Sequence, residues 1–354
     1  MRNYTNGKIT FPRDEGFKGT PFDWWYITFH FITESKKLFS YTLVYLHKEG
    51  LCNRQTSITD EETKLFFWEM KKGEFTVKRD LLDLIYWNKN GDRDYWRQKD
   101  GLLFSYDLFT ETSNRFKLNV TLTANKPPVV HGDGGIVTMG DGGKSYYYSF
   151  TDLAVNGTFT FDGVTERISG VAWIDRQWGS WDISGFDGWE WFALQLNDNT
   201  EIMLYLIFDR EKESRLCQSL TVVFKDGTFV NIDDPDQFEL KNLGYWKVNY
   251  KKLPLFVQKY FLKSYLSSGW RLTIPLYDFD LYIFPIVKNQ RIGYGTWEGS
   301  CRIIGRHNGA KINCVSTVEL THIYVYPIQV KLIKNLLHRF TLPISKPLRK
   351  IFSY

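Results

Sequence analysis

The sequence predicts an all-β protein made of two antiparallel β-barrel domains in tandem, followed by a short C-terminal amphipathic helix. Three observations lead there. Aromatic residues make up 17% of the 354 residues while Met contributes only four, a balance that favours strands over helices. Short runs rich in β-branched and aromatic residues alternate with turn signals along the chain. The length exceeds what one hydrophobic core usually organises, so two domains are expected.

In chain order, the clearest strand runs are Leu38 to Leu46, Lys117 to Ala124, Glu201 to Phe208 and Arg271 to Leu276. Between such runs lie Asn90-Gly91, Asp162-Gly163, Asn197-Asp198-Asn199, Asp226-Gly227 and Asn308-Gly309, residue types that tolerate the left-handed backbone of hairpin turns. Residues 1–183 are assigned to the first barrel, 184–327 to the second and 328–354 to a basic tail. Leu253 to Leu266 is the one inner stretch compatible with a helix. In the tail, Ile328, Leu332, Ile333, Leu336, Leu337 and Phe340 recur at helical spacing opposite Lys331, Lys334 and Arg339, and Pro343 ends the pattern. Two readings stay open: the helix packs its apolar face on the parent domain, or it lies on an anionic membrane surface.

The net charge is +5, yet the tail alone holds six basic residues and no acid. The body is therefore nearly neutral, and without a basic stripe it is not expected to bind nucleic acid. The N-terminus has no apolar run of the signal-peptide kind, and no stretch of about 18 apolar residues occurs. The chain reads as cytoplasmic and soluble, with any peripheral membrane contact confined to 328–354. Cys52, Cys217, Cys301 and Cys314 have neither zinc nor CxxC spacing, so no metal is expected; Cys301 and Cys314 flank Asn308-Gly309 and can meet across a hairpin. No GxSxG elbow, HExxH, Walker or Rossmann motif is present. Gly-Asp-Gly-Gly occurs twice between Val130 and Lys144. Because Ser145 to Phe150 reads as a strand rather than a helix, this is a flexible loop, able to cover the mouth of a cavity, and not a phosphate cradle.

The strongest functional signal is Val171 to Gly179 followed by Gly188 to Leu196. These place Trp173, Trp178, Trp189 and Trp191 beside Asp175, Arg176 and Glu190. Indoles among charges suggest a lined cavity for a hydrophobic small molecule; the other reading is a Trp-rich core with its charges in solvent. In a regular strand Arg176 and Trp178 share one face while Trp173, Asp175 and Gln177 share the other, so only one set can line a given cavity. His30 shares a face with Trp24, Tyr26 and Thr28; His47, His131, His307, His322 and His338 read singly as structural.

The segments Phe22-Asp-Trp-Trp-Tyr26, Val130-His-Gly-Asp-Gly-Gly135 leading into Ser145 to Ser149, Trp173 to Gly179, Gly188 to Phe192, Trp297-Glu-Gly299 and Val318-Glu-Leu-Thr321 resemble, in that order, the carotenoid 1,2-hydratase (hydroxyneurosporene synthase) and kievitone hydratase-like family, to which fungal Diels–Alderases are distantly similar. The resemblance spans about residues 20 to 327. It implies two lipocalin-like domains with a hydrophobic pocket near their interface. It also implies a cofactor-independent hydratase, isomerase or cyclase acting on an isoprenoid or polyketide-type substrate. A non-catalytic carrier of lipids or isoprenoids is the alternative. The family carries a histidine where this chain has Arg176, so the implied tryptophan role passes to Trp178 and the histidine role does not pass. Arginine cannot give up its proton and suits stabilising negative charge on a substrate oxygen, which points towards an oxygenated substrate. As proton donors we rank Asp175, then Asp23, then Glu190, each flanked by aromatics that can raise its pKa by desolvation. Substrate contacts are expected from Trp24, Tyr26, His30, Tyr148, Trp173, Gln177, Trp189, Trp191 and Tyr205, whereas Glu298 and Glu319 are expected to hold the second barrel together.

Overall fold

A computed structural model describes residues 3–48, 50–113, 115–140, 143–182, 186–209, 215–248, 265–293 and 295–322. Among them helix is limited to three single-turn 3-10 segments, and none is long and apolar enough to cross a membrane. The predicted C-terminal helix and most of the stretch from Leu253 to Leu266 lie outside the described residues; Tyr265 and Leu266 themselves open a strand.

A small hairpin, Tyr4–Asn6 (β1) with Ile9–Phe11 (β2), precedes the first large sheet. That sheet contains Phe22–Thr33 (β3), Leu38–Lys48 (β4), Leu51–Asp60 (β5), Leu65–Val77 (β6), Asp83–Trp87 (β7), Arg93–Gln98 (β8), Ser105–Thr112 (β9), Phe116–Ala124 (β10), Val129–Val130 (β11), Ile136–Thr138 (β12), Gly143–Phe161 (β13) and Val164–Trp181 (β14). All its pairings are antiparallel, and β10 pairs with β13 to close ten strands into a barrel. The second sheet contains Phe186–Gln195 (β15), Glu201–Asp209 (β16), Arg215–Val223 (β17), Phe229–Ile232 (β18), Glu239–Lys247 (β19), Tyr265–Ile274 (β20), Phe279–Pro285 (β21), Arg291–Ile292 (β22), Thr296–His307 (β23) and Ala310–His322 (β24). Its order is β18-β17-β16-β15-β24-β23-β21-β20-β19, with β22 on β23. The sheet curls around one apolar core drawn from nearly all its strands, and its two edges do not pair among the described residues.

The turns form where the residue types allow them. β13 and β14 meet at Asp162-Gly163, with φ of 47° and 85°, and β23 and β24 at Asn308-Gly309, with φ of 48° and 76°, the two positive values that a type I′ hairpin requires. Cys301 and Cys314 do not face each other across that hairpin. Cys301 is opposite Ser316, Cys314 is opposite Ile303, and both thiols are free.

β3 and, from Ala172 to Gly179, β14 are buried on both faces. Trp25, Ile27, Phe29 and Phe31 fill the barrel together with Ala172, Ile174 and Trp178, while Tyr26 and Trp173 face the other way into a third apolar cluster shared with Trp191, Met203, Tyr205 and Ile207 of the second sheet. A strand buried on both faces reads as a continuous apolar run instead of a clean alternation. Polar pairs surround this contact, including Thr28 with Thr317 at 2.7 Å and Ser40 with Ser300 at 2.9 Å.

Candidate functional site

Two rows of side chains face each other between the sheets, and strand register sets both. On the barrel's outer surface, Ser149, Asp175, Tyr26, Val44, Gln55 and Met70 are successive cross-strand neighbours from β13 through β6. On the second sheet, Tyr205, Trp191, Glu319 and Glu298 are successive neighbours from β16 through β23. Between them lies a cavity of about 450 Å³, lined among others by Trp24, Tyr26, Tyr147, Asp175, Gln177, Trp181, Trp189, Trp191, Tyr205, Glu298 and Glu319.

Three carboxyl groups line this cavity, and the indoles of Trp173, Trp189 and Trp191 each have a polar partner. Trp173 Nε1 donates to Asp175 Oδ1 at 2.6 Å, Tyr147 Oη donates to Asp175 Oδ2 at 2.5 Å, and Trp191 Nε1 donates to Tyr147 Oη at 2.9 Å. Ser149 Oγ is hydrogen-bonded to Asp175 Oδ1. Trp189 Nε1 donates to Glu319 Oε1 at 3.0 Å, as does Thr321 Oγ1 at 2.6 Å, and Tyr26 Oη donates to Glu298 Oε2 at 3.1 Å. Burial penalises the charged form of all three acids. It pushes Asp175 up to about 7 despite its hydrogen-bonded contacts with Ser149, Tyr147 and Trp173, with the nearby Glu319 charge adding to the rise. Glu298 lies well above the usual carboxylate range because of burial and then the Glu319 charge, and burial raises Glu319 as well. The result is an apolar chamber whose carboxyl groups hold their protons more tightly than ordinary carboxylates do, an arrangement suited to proton transfer.

The structure brings together Asp175, Trp24, Tyr26, Gln177, Trp189, Trp191 and Tyr205 in the cavity wall. Trp173 supports Asp175 from behind, with its ring 6.4 Å from that of Trp191. His30 points to the same side of β3 but bonds Ser40 and Thr317 deeper in the interface. The other candidates need correction. Arg176 points into the barrel, where it pairs with Asp23 at 2.5 Å, donates to the Gly16 carbonyl at 2.7 Å and lies 4.1 Å over the Trp25 ring. Trp178 and Tyr148 share that interior, 6.2 Å apart. Asp23, Arg176, Trp178 and Tyr148 are therefore parts of the barrel core, and Arg176 faces away from the cavity between the sheets. Glu190 faces the core side of the second sheet, where Trp270 Nε1 donates to it at 3.2 Å. Alternation decides each of these cases: one residue along a strand is the opposite face of its sheet.

Sequence reasoning missed Glu298 and Glu319 as cavity residues. Each belongs to a recognisable short motif, but only the β15–β24–β23 register places them beside Trp191. Of the glycine-rich loop, Met139 reaches the cavity wall. Among the described residues no group of three His, Cys, Asp or Glu side chains is arranged to hold a metal ion.

The sequence from residue 2 to residue 311 matches a family model described as AttH-like. Three solved structures share the fold. A protein from Nitrosomonas europaea, titled as an AttH, is 20% identical, with a TM-score of 0.72 over 90% of this chain and 97% of that one. Kievitone hydratase from Nectria haematococca is 15% identical, with a TM-score of 0.70 over 90% of this chain and 96% of that one. CghA is 10% identical, with a TM-score of 0.57 over 86% of this chain and 89% of that one. None of the curated proteins matches the sequence.

Proposed function

We propose, on the premise that the chain belongs to the AttH-like family, that it is an acid–base hydratase, isomerase or cyclase for a hydrophobic substrate of isoprenoid or polyketide type, working in the cavity between its two sheets. The observation that carries this reading is Asp175, a carboxyl group raised to about 7 inside an indole-lined chamber. The fold shared with kievitone hydratase supports an enzyme of this general kind.

Asp175 is assigned as the acid. It gives its proton to an alkene carbon or a carbonyl oxygen, and the positive charge that develops faces the rings of Trp191, Trp189 and Trp24. Tyr147 O–H and Trp173 N–H then hold the carboxylate left behind. In a hydration, water adds to the cation and its surplus proton returns to Asp175; in an isomerisation, the returning proton comes from a neighbouring carbon. The chamber also folds a flexible substrate into a reactive conformer, which lowers the entropic cost of ring closure.

A carrier needs apolar walls but no buried acid, and this separates the two readings. The protein is incubated with a panel of isoprenoids and polyketide phenols, then analysed by native mass spectrometry and organic extraction. A ligand changed by the mass of one water, or isomerised at constant mass, is the expected result. Asp175→Asn should then lose about 10²- to 10⁴-fold in turnover while still binding the ligand. An unchanged ligand in the wild type sinks the enzyme reading and leaves a carrier.

A further inference from the structure

Behind Asp175 a buried hydrogen-bonded chain runs from the barrel into the second sheet, and its polarity can be worked out from one end. Asn231 of β18 places Nδ2 at 3.2 Å from each of the carbonyl oxygens of Val130 and Gly132. A carbonyl oxygen only accepts, so the amide nitrogen must be the atom that faces them and the amide oxygen must face Thr221. Thr221 Oγ1 of β17 lies 2.7 Å from Asn231 Oδ1 and spends its single proton there. At its other contact, 2.9 Å from His131 Nδ1, Thr221 can therefore only accept. Nδ1 of His131 must carry the hydrogen.

The imidazole is fully enclosed, and burial depresses its pKa to about 3, so it is neutral and its Nε2 is bare. Nε2 lies 2.7 Å from Ser149 Oγ and takes the serine proton. Ser149 has no second proton to offer Asp175 Oδ1, with which it is in close contact. That contact is satisfied when Asp175 is the donor. Trp173 N–H to Oδ1 and Tyr147 O–H to Oδ2 are both compatible with a protonated acid.

From this geometry we infer that Asn231, Thr221 and His131 are positioning residues that keep the proton on Asp175, so the acid is set only when the two sheets are docked. The inference rests on the reading of Asp175 as the proton donor. The ionisable groups that face Asp175 agree with it. Glu319 acts on it across the cavity, Tyr147 and Tyr26 lie beside it on neighbouring strands, and Glu298 stands next to Glu319. None of these is a cation; Lys48, at the end of β4, also lines the cavity, and Arg176 points away into the barrel, paired with Asp23. In turnover the O–H bond at Asp175 breaks and the substrate gains the proton. The water or carbon that later loses a proton restores it.

The test is NMR on the full-length protein without substrate, so its outcome is independent of whether Asp175 turns a substrate over. Nitrogen-15 shifts of labelled histidine report the His131 tautomer, and carbon-13 shifts of labelled aspartate follow Asp175, assigned by its loss in Asp175→Asn. In the wild type the hydrogen should sit on Nδ1. Thr221→Val keeps the shape but removes the acceptor. The hydrogen should then move to Nε2, Ser149 should turn its proton onto Asp175, and the proton affinity of Asp175 should fall at least tenfold. Thr221→Ser should restore both signals. A wild-type imidazole protonated at Nε2 overturns the inference, as does an Asp175 titration unchanged in Thr221→Val. Should Thr221→Val not fold, the wild-type tautomer decides the matter.

Discussion

Asp175 accepts or shares three hydrogen bonds and is still raised to about 7, because its enclosure between two sheets outweighs what those bonds return. The shift has a consequence for stability. A carboxyl whose folded pKa exceeds its unfolded one binds more protons in the native state across the interval between the two values. Its contribution is full below an ordinary aspartate pKa near 3.8 and is lost as the pH rises to about 7. Wild-type melting temperature should therefore drop more steeply than that of Asp175→Asn between about pH 5 and about pH 8; parallel curves from scanning calorimetry would contradict the assignment. His131 works in the opposite direction, losing its contribution on acidification, which is why the difference between variant and wild type is the quantity to measure. Arg176 illustrates the other kind of buried charge. Arg176→Met leaves Asp23 enclosed without its cation and should cost about 3–5 kcal/mol in urea unfolding. Adding Asp23→Asn should recover part of that loss. If ligand binding fell while stability held, Arg176 would belong to the site after all.

At the scale of elements, β14 carries both sets of candidate residues, one on each face. The pattern Trp173, Asp175, Gln177 against Arg176, Trp178 could be read from the sequence as two sets, but both faces of this part of the strand are buried and each mixes indoles with polar groups, so periodicity alone could not tell which set meets the cavity. Glu298 and Glu319 were hidden for a related reason. They are direct cross-strand neighbours in β23 and β24, and two acids side by side are tolerated when burial keeps at least one protonated. The β10–β13 seam that closes the barrel includes one especially close backbone approach, at Gly157. A Cβ on Gly157 would stand 2.1 Å from the Asn119 carbonyl oxygen and 2.7 Å from Val120 Cα. Both obstacles are backbone of the closing partner β10 and cannot swing aside. Gly157→Ala should lower the unfolding free energy measured in urea by about 1–3 kcal/mol, and an unchanged midpoint would mean that the β10–β13 seam can yield.

For the whole molecule, the cavity exists because one sheet closes into a barrel and the other packs against its outside. Lys126, which follows β10, spans this contact: its Nζ lies 2.7 Å from Glu201 Oε1 and 2.7 Å from the Asn199 carbonyl, almost fully enclosed. Even with that partner, burial holds Glu201 up to about 7. Lys126→Met should cost about 3–5 kcal/mol and weaken ligand binding in the distant cavity by loosening the docked sheets. Glu201→Gln on top should recover stability. Binding that survives the single change at full strength would show that the apolar cluster around Trp191 docks the sheets without this pair.

The sequence by itself determined the all-β class, the hairpin turns, the family resemblance and the importance of the segment around Asp175, because these depend on local propensity and on periods of two along a strand. Only the tertiary structure decided which face of β3 and β14 meets the second sheet, that Arg176 is a core residue, that Glu298 and Glu319 join the cavity, and that His131 lies one serine away from Asp175. Those outcomes are set by register between strands distant in the chain and by the docking of two sheets. Neither leaves a local signal when a strand is buried on both sides.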